Sequence, residues 1–562
     1  MQTPRSGHSP AFSRRRALQA AGIAATTMAM IGFEQGATRA QDATPAAAAL
    51  PDLTGVMPLP LTGEHLATFE TYIASALAEL GVPGVAVGVV QGGEVAFLQG
   101  FGVRELGRPE PVTADTLLRI GSVTKSFSSL LVATLVDTGQ VTWDTPLIDL
   151  LPDFAVEDAD LTPRLTVEDA FCACSGLPRR DLEFIFPAND LTPERMIASM
   201  ATLPLTAPFG EKYQYNNQLV AAGGFAAGVA DGGSADALGH SYAIALRDRV
   251  LNPIGMPRTT YDLSAVVAGN DYASPHAADL FGEIHPVPLM MDDTWLVPVA
   301  PSGALWSSAR EMVRYVQTEL GYGVGPDGGQ VVSSANLERT WQPGVALPAA
   351  PGGPPEMAAF AQHYGLGWVV GAYGGQRTIW HSGGTLGFSS LVTFLPEAEL
   401  GAVVLTNGSG NAGQLIYAIV FRLLELLFEQ PATMGTLVAT NLARVESGRA
   451  DLLATIGQID PAVAAPFLGT YTNPDLGNLT LTLHGDTLTF ASGPYRSALL
   501  PQMAEDGSVA GYLLVDPPMS GFPPQGILVF ESGDDGQPRI VLTTPADAGD
   551  PDLVYVYEPV GA

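Results

Sequence analysis

Residues 119–131 read RIGSVTKSFSSLL, and this stretch decides the fold, because Ser122 and Lys125 stand three apart where an amphipathic helix begins. On a helix of about 3.6 residues per turn both side chains project from one face, about one turn apart. A hydroxyl becomes a nucleophile when a neighbour removes its proton, and an amine one turn away can do so if its own pKa is lowered. The same spacing also arises by chance, and Ser122 would serve equally as a helix cap. The rest of the chain has to separate these readings.

Two later stretches bear on it. PFGEKYQYNNQLV at 208–220 places Tyr215 and Asn217 in a Y-x-N, and WHSGGTLGF at 380–388 carries His381, Gly383 and Gly384 in a glycine-rich, strand-like run. Taken singly, each has a bland explanation: a buried ring with a satisfied hydroxyl, or a turn. Taken in this order, with DTLLRIGSVTKSF, GQVTWDTPLIDLLPDF, SGLPRRD, NPIGMPRTTYD, PSGALWSSAREMVRY, YGLGW and HSGGTLGFSSLVTFLP around them, the chain resembles the serine β-lactamase and penicillin-binding protein superfamily. The resemblance runs from about Leu66 to Phe428. It is nearest the branch related to class C β-lactamases, esterases and D-amino-acid peptidases.

That resemblance implies roles. Ser122 would be the nucleophile that becomes acylated, Lys125 would accept its proton, and Tyr215 would complete the relay and later help activate the deacylating water. Asn217 would donate to the substrate and help position Lys125, with His381, Gly383 and Gly384 lining the substrate side. The backbone N–H groups of Ser122 and Gly384 would form the oxyanion hole. Two departures stand out. His381-Ser382-Gly383 replaces the K-T-G of penicillin-recognising relatives, so a fixed positive charge for a substrate carboxylate is missing. In FCACSGLP, Ala173 and Cys174 stand where relatives often show histidine and threonine.

Composition bounds the alternatives. The 562 residues carry a net charge of −31 with only 15% charged residues, and no basic stripe follows the first sixteen residues, which argues against nucleic-acid binding. No H-E-x-x-H or other tight ligand cluster occurs among the eight histidines, so neither a metal nor a cofactor is expected. Cys172 and Cys174, the only cysteines, read as free thiols, because a bridge between residues two apart is strained by the Cα separation it forces.

The N-terminus reads as an address label. SRRRAL at 13–18, the apolar stretch from Ala17 to Phe33, itself too short to span a bilayer, and the small-residue run after it form a twin-arginine-type export signal over 1–40. Cleavage near Ala40 would leave a protein without a stable membrane span, located in the periplasm, at the cell surface or outside the cell, while retention as an anchor stays open. A flexible linker follows at 41–60.

From 61 to 430 the pattern predicts an α+β unit: an antiparallel sheet flanked by helices, with an all-helical lobe. VPGVAVGVV and VAFLQGFGV read as a hairpin, RTIWHSGG, SSLVTFLP and GAVVLTNG as later strands, and 411–428 as an apolar helix. After a helical linker at 431–465, the alternation in NLTLTLHGDTLTF, YLLVD, GILVFES, PRIVLTT and LVYVYEP predicts a small β-barrel over 466–562, which the resemblance renders lipocalin-like.

The sequence therefore reads as an exported serine hydrolase acting on a small-molecule ester, amide, β-lactam or peptide through an acyl-enzyme on Ser122. A β-lactamase or D,D-carboxypeptidase proper is the near alternative. A penicillin- or peptidoglycan-binding or sensor module is the alternative of another class, although a pure binder has no chemical need for Ser122, Lys125 and Tyr215 together. An α/β-hydrolase would require a G-x-S-x-G elbow, which the sequence lacks. Selectivity is expected from the loops at 264–300 and 342–362; oligomeric state is left open.

Overall fold

The computed structural model describes residues 50–187, 190–348, 355–521, 527–533, 535–544 and 552–561. The export signal and residues 41–49 of the linker after it lie outside the described residues.

Helix α1 (Gly63–Glu79) buries Phe69, Ile73, Ala76 and Leu77, one stripe at helical spacing. It leads into the hairpin β1 (Gly84–Gln91) and β2 (Glu94–Gly102), which pair antiparallel. Far along its length the chain returns through β3 (Val369–Tyr373), β4 (Gln376–Gly384), β5 (Ser389–Leu395) and β6 (Leu400–Thr406). The sheet order is β2-β1-β6-β5-β4-β3, followed by the two-residue strands His363–Tyr364 and Val345–Ala346. The two ends of the unit are thus joined by β1 pairing with β6, Val85 opposite Thr406 and Gln91 opposite Leu400.

Alternation divides the core into two layers. Val85, Val87, Val89, Leu391 and Val404 face α1 and the apolar helix α2 (Asn411–Leu427), while Ala86, Val392, Phe394, Val403 and Leu405 face the helical lobe. The lobe is built on α3 (Thr124–Asp137), buried on every side from Thr124 to Leu135, with α4 (Asn217–Ala230) and α5 (Ala309–Leu320) around it. The α5 helix lies close on the sheet: a Cβ at Gly88 would come within 2.4 Å of Val313.

Helix α6 (Met434–Ala454) leads on to a closed antiparallel barrel of eight strands. These are β7 (Gly469–Asn473), β8 (Gly477–His484), β9 (Thr487–Ser492), β10 (Tyr495–Met503), β11 (Val509–Leu514), β12 (Ile527–Ser532), β13 (Pro538–Thr544) and β14 (Leu553–Pro559). Leu479 and Leu481 point inward and Thr482 outward, and β7 closes the barrel on β14. The interior is filled by side chains, among them Tyr471, Phe490, Tyr495, Leu499, Ile540 and Tyr557. Among the described residues no helix is long and apolar enough to cross a membrane.

Candidate active site

Ser122 lies at the front of α3, within a single 3₁₀ turn, Gly121–Val123. Its hydroxyl does not cap the helix: no side chain fills that role, and Thr124 Oγ1 instead donates to the Gly121 carbonyl at 2.7 Å. The capping explanation for Ser122 is therefore replaced, because the N-cap position of α3 falls on Val123. It is partly exposed, whereas Lys125 is fully buried. Lys125 Nζ stands 3.0 Å from Ser122 Oγ and donates to the Ser302 carbonyl at 2.7 Å. Burial lowers the amine well below the ordinary lysine value, with Asp181 opposing and Arg179 reinforcing the shift. A neutral amine keeps a lone pair, so Nζ can take a proton from Ser122.

Tyr215 approaches from the other side. Its hydroxyl hydrogen-bonds Ser122, and burial raises the phenol above its ordinary value. It is therefore a neutral donor that can pass a proton on. Lys125 Nζ sits 4.7 Å from the ring centroid and the Arg179 guanidinium 5.2 Å, both within cation–π range. Tyr215 just precedes α4, whose first turn is capped by Asn216 Oδ1 accepting from Leu219 N–H at 2.8 Å.

Asn217 is held by a carboxylate. It donates to Asp181 at 2.9 Å, and Asp181 is in turn paired with Arg179 at 2.7 Å; among the described contacts the partner that positions Lys125 is the Ser302 carbonyl. The fixed geometry of a helix's first residue points the short amide at the loop carrying Asp181. Sequence reasoning missed Arg179, Asp181 and Ser302, although all three lie in the matched stretches SGLPRRD and PSGALWSSAREMVRY.

The end of β4 closes the site. Pairing between β4 and β3 stops at Trp380 opposite Val369, leaving that edge of residues 381–384 against the turn that holds Ser122. Thr385 N–H donates across the hairpin to Phe388, and strand alternation turns the preceding Gly384 N–H to the opposite edge. There a Cβ on Gly121 would stand 2.6 Å from Gly384 N, and a Cβ on Gly383 would stand 1.9 Å from the Ile120 carbonyl. Only glycine lets the two backbones approach so closely. Ser390 Oγ fastens them, donating to the Ile120 carbonyl at 2.7 Å.

His381 is buried on β4. Its Nδ1 faces the Ser382 carbonyl at 2.5 Å, which can only accept, so Nδ1 carries the proton and Nε2 accepts from the Tyr364 hydroxyl at 2.9 Å. Burial, with the nearby Lys125 adding to it, pushes the imidazole down to about 3. The side chain is neutral and offers no charge to a carboxylate. Tyr364, in YGLGW, is a further site neighbour that the sequence did not single out.

The cysteines overturn the free-thiol expectation: Cys172 and Cys174 form a disulfide. Ala173 between them takes the left-handed conformation, φ 50°, and the Cα atoms stand 5.2 Å apart, inside the range a bridge spans. The Ala173 carbonyl then accepts from Gln214 N–H at 2.8 Å, next to Tyr215. Among the described residues no group of metal-ligating side chains occurs.

Comparison with known proteins agrees with this architecture. The profile of the family described as Beta-lactamase matches residues 69–426. Among curated proteins, the chain is 26% identical over 367 residues to the unguisins hydrolase ungD' of Aspergillus campestris, 64% of each chain, so it spans less than two thirds of that relative's length. It is 27% identical over 390 residues to penicillin-binding protein 4 of Amycolatopsis lactamdurans, covering 69% of this chain and 93% of the relative. Among solved structures, the octameric penicillin-binding protein homologue from Pyrococcus abyssi superposes with a TM-score of 0.55 at 20% identity, over 88% of this chain and 100% of that one. The likeness in fold includes most of the chain.

Proposed function

Because the chain belongs to the Beta-lactamase family, a family of serine hydrolases, we propose that it hydrolyses an ester or amide through an acyl-enzyme on Ser122. The observation that carries this reading is the buried Lys125 amine, 3.0 Å from the Ser122 hydroxyl. Lys125 takes the hydroxyl proton as Oγ attacks the carbonyl carbon. The oxyanion that forms is held by the N–H groups of Ser122 and Gly384. Tyr215, neutral and bonded to Ser122, hands a proton to the leaving group, and water then resolves the acyl-enzyme by the reverse relay. Asn217 serves the substrate side by way of its Asp181-fixed amide.

Neutral His381 disfavours substrates whose recognition needs a fixed cation at that position, so esters and uncharged amides rank above carboxylated β-lactams. The names of the relatives, an unguisins hydrolase and a penicillin-binding protein, support hydrolysis or binding of a small molecule and leave the bond class to the test below. Export through the N-terminal arginine signal belongs to the same proposal and rests on the sequence.

Labelling with a fluorophosphonate tests the mechanism, and hydrolysis of p-nitrophenyl esters, D-amino-acid amides and nitrocefin side by side tests the substrate ranking. The expected result is an adduct on Ser122 that is lost in Ser122→Ala together with all hydrolysis. An unlabelled Ser122, or hydrolysis near the wild-type rate in Ser122→Ala, would refute the mechanism.

A further inference from the structure

The barrel touches the rest of the chain where the candidate site is held together. The connecting segment runs from Pro178 to Phe186. Its first half faces the site: the Pro178 carbonyl accepts from Asn216 Nδ2 at 2.8 Å, Arg179 lies over the Tyr215 ring, and Asp181 accepts from Asn217. Its second half faces the barrel. Glu183 accepts from the hydroxyl of Tyr555 on β14 at 3.3 Å, and is itself paired with Arg180 at 3.0 Å. One turn further on, the Phe186 ring stands edge-on to Phe490 of β9 and Tyr495 of β10, at centroid distances of 6.2 and 6.0 Å.

The barrel-facing half is one short helix, Leu182–Ile185, flanked directly by Asp181 on the site side and Phe186 on the barrel side, so a displacement of Phe186 has one turn of chain in which to reach Asp181. All of these groups are buried or partly buried. At this segment the joint is an aromatic plug in the barrel end together with one polar tie; elsewhere the barrel is tied to residues 278–280, Ser520 Oγ donating to the Ala278 carbonyl at 2.7 Å and Leu280 N–H to the Val515 carbonyl at 2.9 Å.

We propose that the barrel is a positioning element for the reaction, holding Tyr215 and Asn217 in register with Ser122 through segment 178–186, with Phe186 and Tyr555 as the positioning residues. The inference rests on the reading of Ser122, Lys125 and Tyr215 given above. Its consequence is a barrel that acts on turnover without touching the substrate. A contact of this kind changes the geometry of the reacting groups more than the affinity for substrate, and a misplacement of about 1 Å at such groups can cost about 10²-fold.

The test uses the full-length protein with Tyr555→Phe, Phe186→Ala, Phe186→Leu and Ser122→Ala. Turnover of a p-nitrophenyl ester is expressed per mole of protein folded by circular dichroism, with KM measured alongside. Tyr555→Phe is expected to lower kcat about three- to tenfold, the worth of one hydrogen bond, and Phe186→Ala more than tenfold, each with KM within about twofold. Phe186→Leu, which refills the barrel end, should recover most of the loss. Wild-type kcat per folded protein in Tyr555→Phe and Phe186→Ala, with Ser122→Ala inactive, overturns the positioning role and leaves the mechanism standing. Activity retained in Ser122→Ala overturns both. Should Phe186→Ala fail to fold, Tyr555→Phe decides alone, since it removes one oxygen atom and no packing.

Discussion

The ε-amine of Lys125 is tethered by the Ser302 carbonyl, 2.7 Å away, rather than by a carboxylate. A neutral acceptor orients the amine while stabilising its charged form less than a carboxylate would, and Asp181, the carboxylate that acts on it, is already paired with Arg179. The result is a base made by burial, which the following substitutions examine.

Lys125→Met should abolish ester hydrolysis, a loss of about 10³-fold or more measured by steady-state kinetics. It should also raise thermal stability at neutral pH. The folded-state pKa of Lys125 is lowered, so between that value and the unfolded value of about 10.4 the unfolded chain binds the proton that the folded chain does not. Native stability in that window therefore rises with pH. Removing the amine removes the dependence, and calorimetry should show a higher melting temperature in the variant whose margin over the wild type narrows as pH rises.

Tyr215→Phe keeps the ring beneath Lys125 and Arg179 and removes only the hydroxyl. Turnover should fall by about 10²- to 10⁴-fold, the usual worth of a proton donor, with KM little changed. A fluorophosphonate should still label Ser122, because Lys125 remains in place, and intact-mass spectrometry reads that adduct directly.

His381 should be silent in the pH profile. Its imidazole is pushed down to about 3, so an acid limb in kcat/KM above that value belongs to Lys125, and His381→Gln should leave the limb where it was. Stability shows the opposite behaviour. A histidine whose folded pKa is depressed below the unfolded value of about 6.5 weakens the fold as pH falls from about 6.5 towards 3, and His381→Gln should flatten that part of the stability curve as followed by urea unfolding.

Gly121→Ala places a methyl 2.6 Å from Gly384 N at a residue with φ 52°. The strain should cost about 1–3 kcal/mol, and the displaced N–H should lower turnover by about 10²- to 10³-fold. Paired melting curves and kinetics separate the two losses; an unchanged kcat in a destabilised variant would remove Gly384 from the oxyanion hole.

What the sequence made legible, and what it hid, follows from range. The hairpin of β1 and β2, the return strands β4 to β6 and the apolar α2 are written in short local apolar runs, and the fold follows from them. Spacing alone brought Ser122 and Lys125 together, because three residues on a helix fix their geometry. The bond from Asn217 to Asp181 joins residues 36 apart, and that from Lys125 to Ser302 joins residues 177 apart; no periodicity reports either. Strand β10 escaped notice because Pro501 lies inside it, where a missing N–H argues against a ladder, yet it sits beside a register shift at Gln502 and Met503 that accommodates it. The disulfide was hidden because a Cα separation depends on backbone angles that no sequence pattern reports, and here Ala173 is left-handed, φ 50°, with the two Cα atoms 5.2 Å apart.

If the chain is exported as proposed, that disulfide would carry a record of the passage. On the proposed twin-arginine route the chain folds in a reducing compartment before it leaves, so Cys172 and Cys174 travel as thiols and join only on arrival in an oxidising one. Oxidation removes two hydrogen atoms, which makes the joined form lighter than its precursor by that amount. The mass of molecules recovered from each side of the membrane would then serve as a postmark, dating closure of the loop beside Tyr215 to before or after transit.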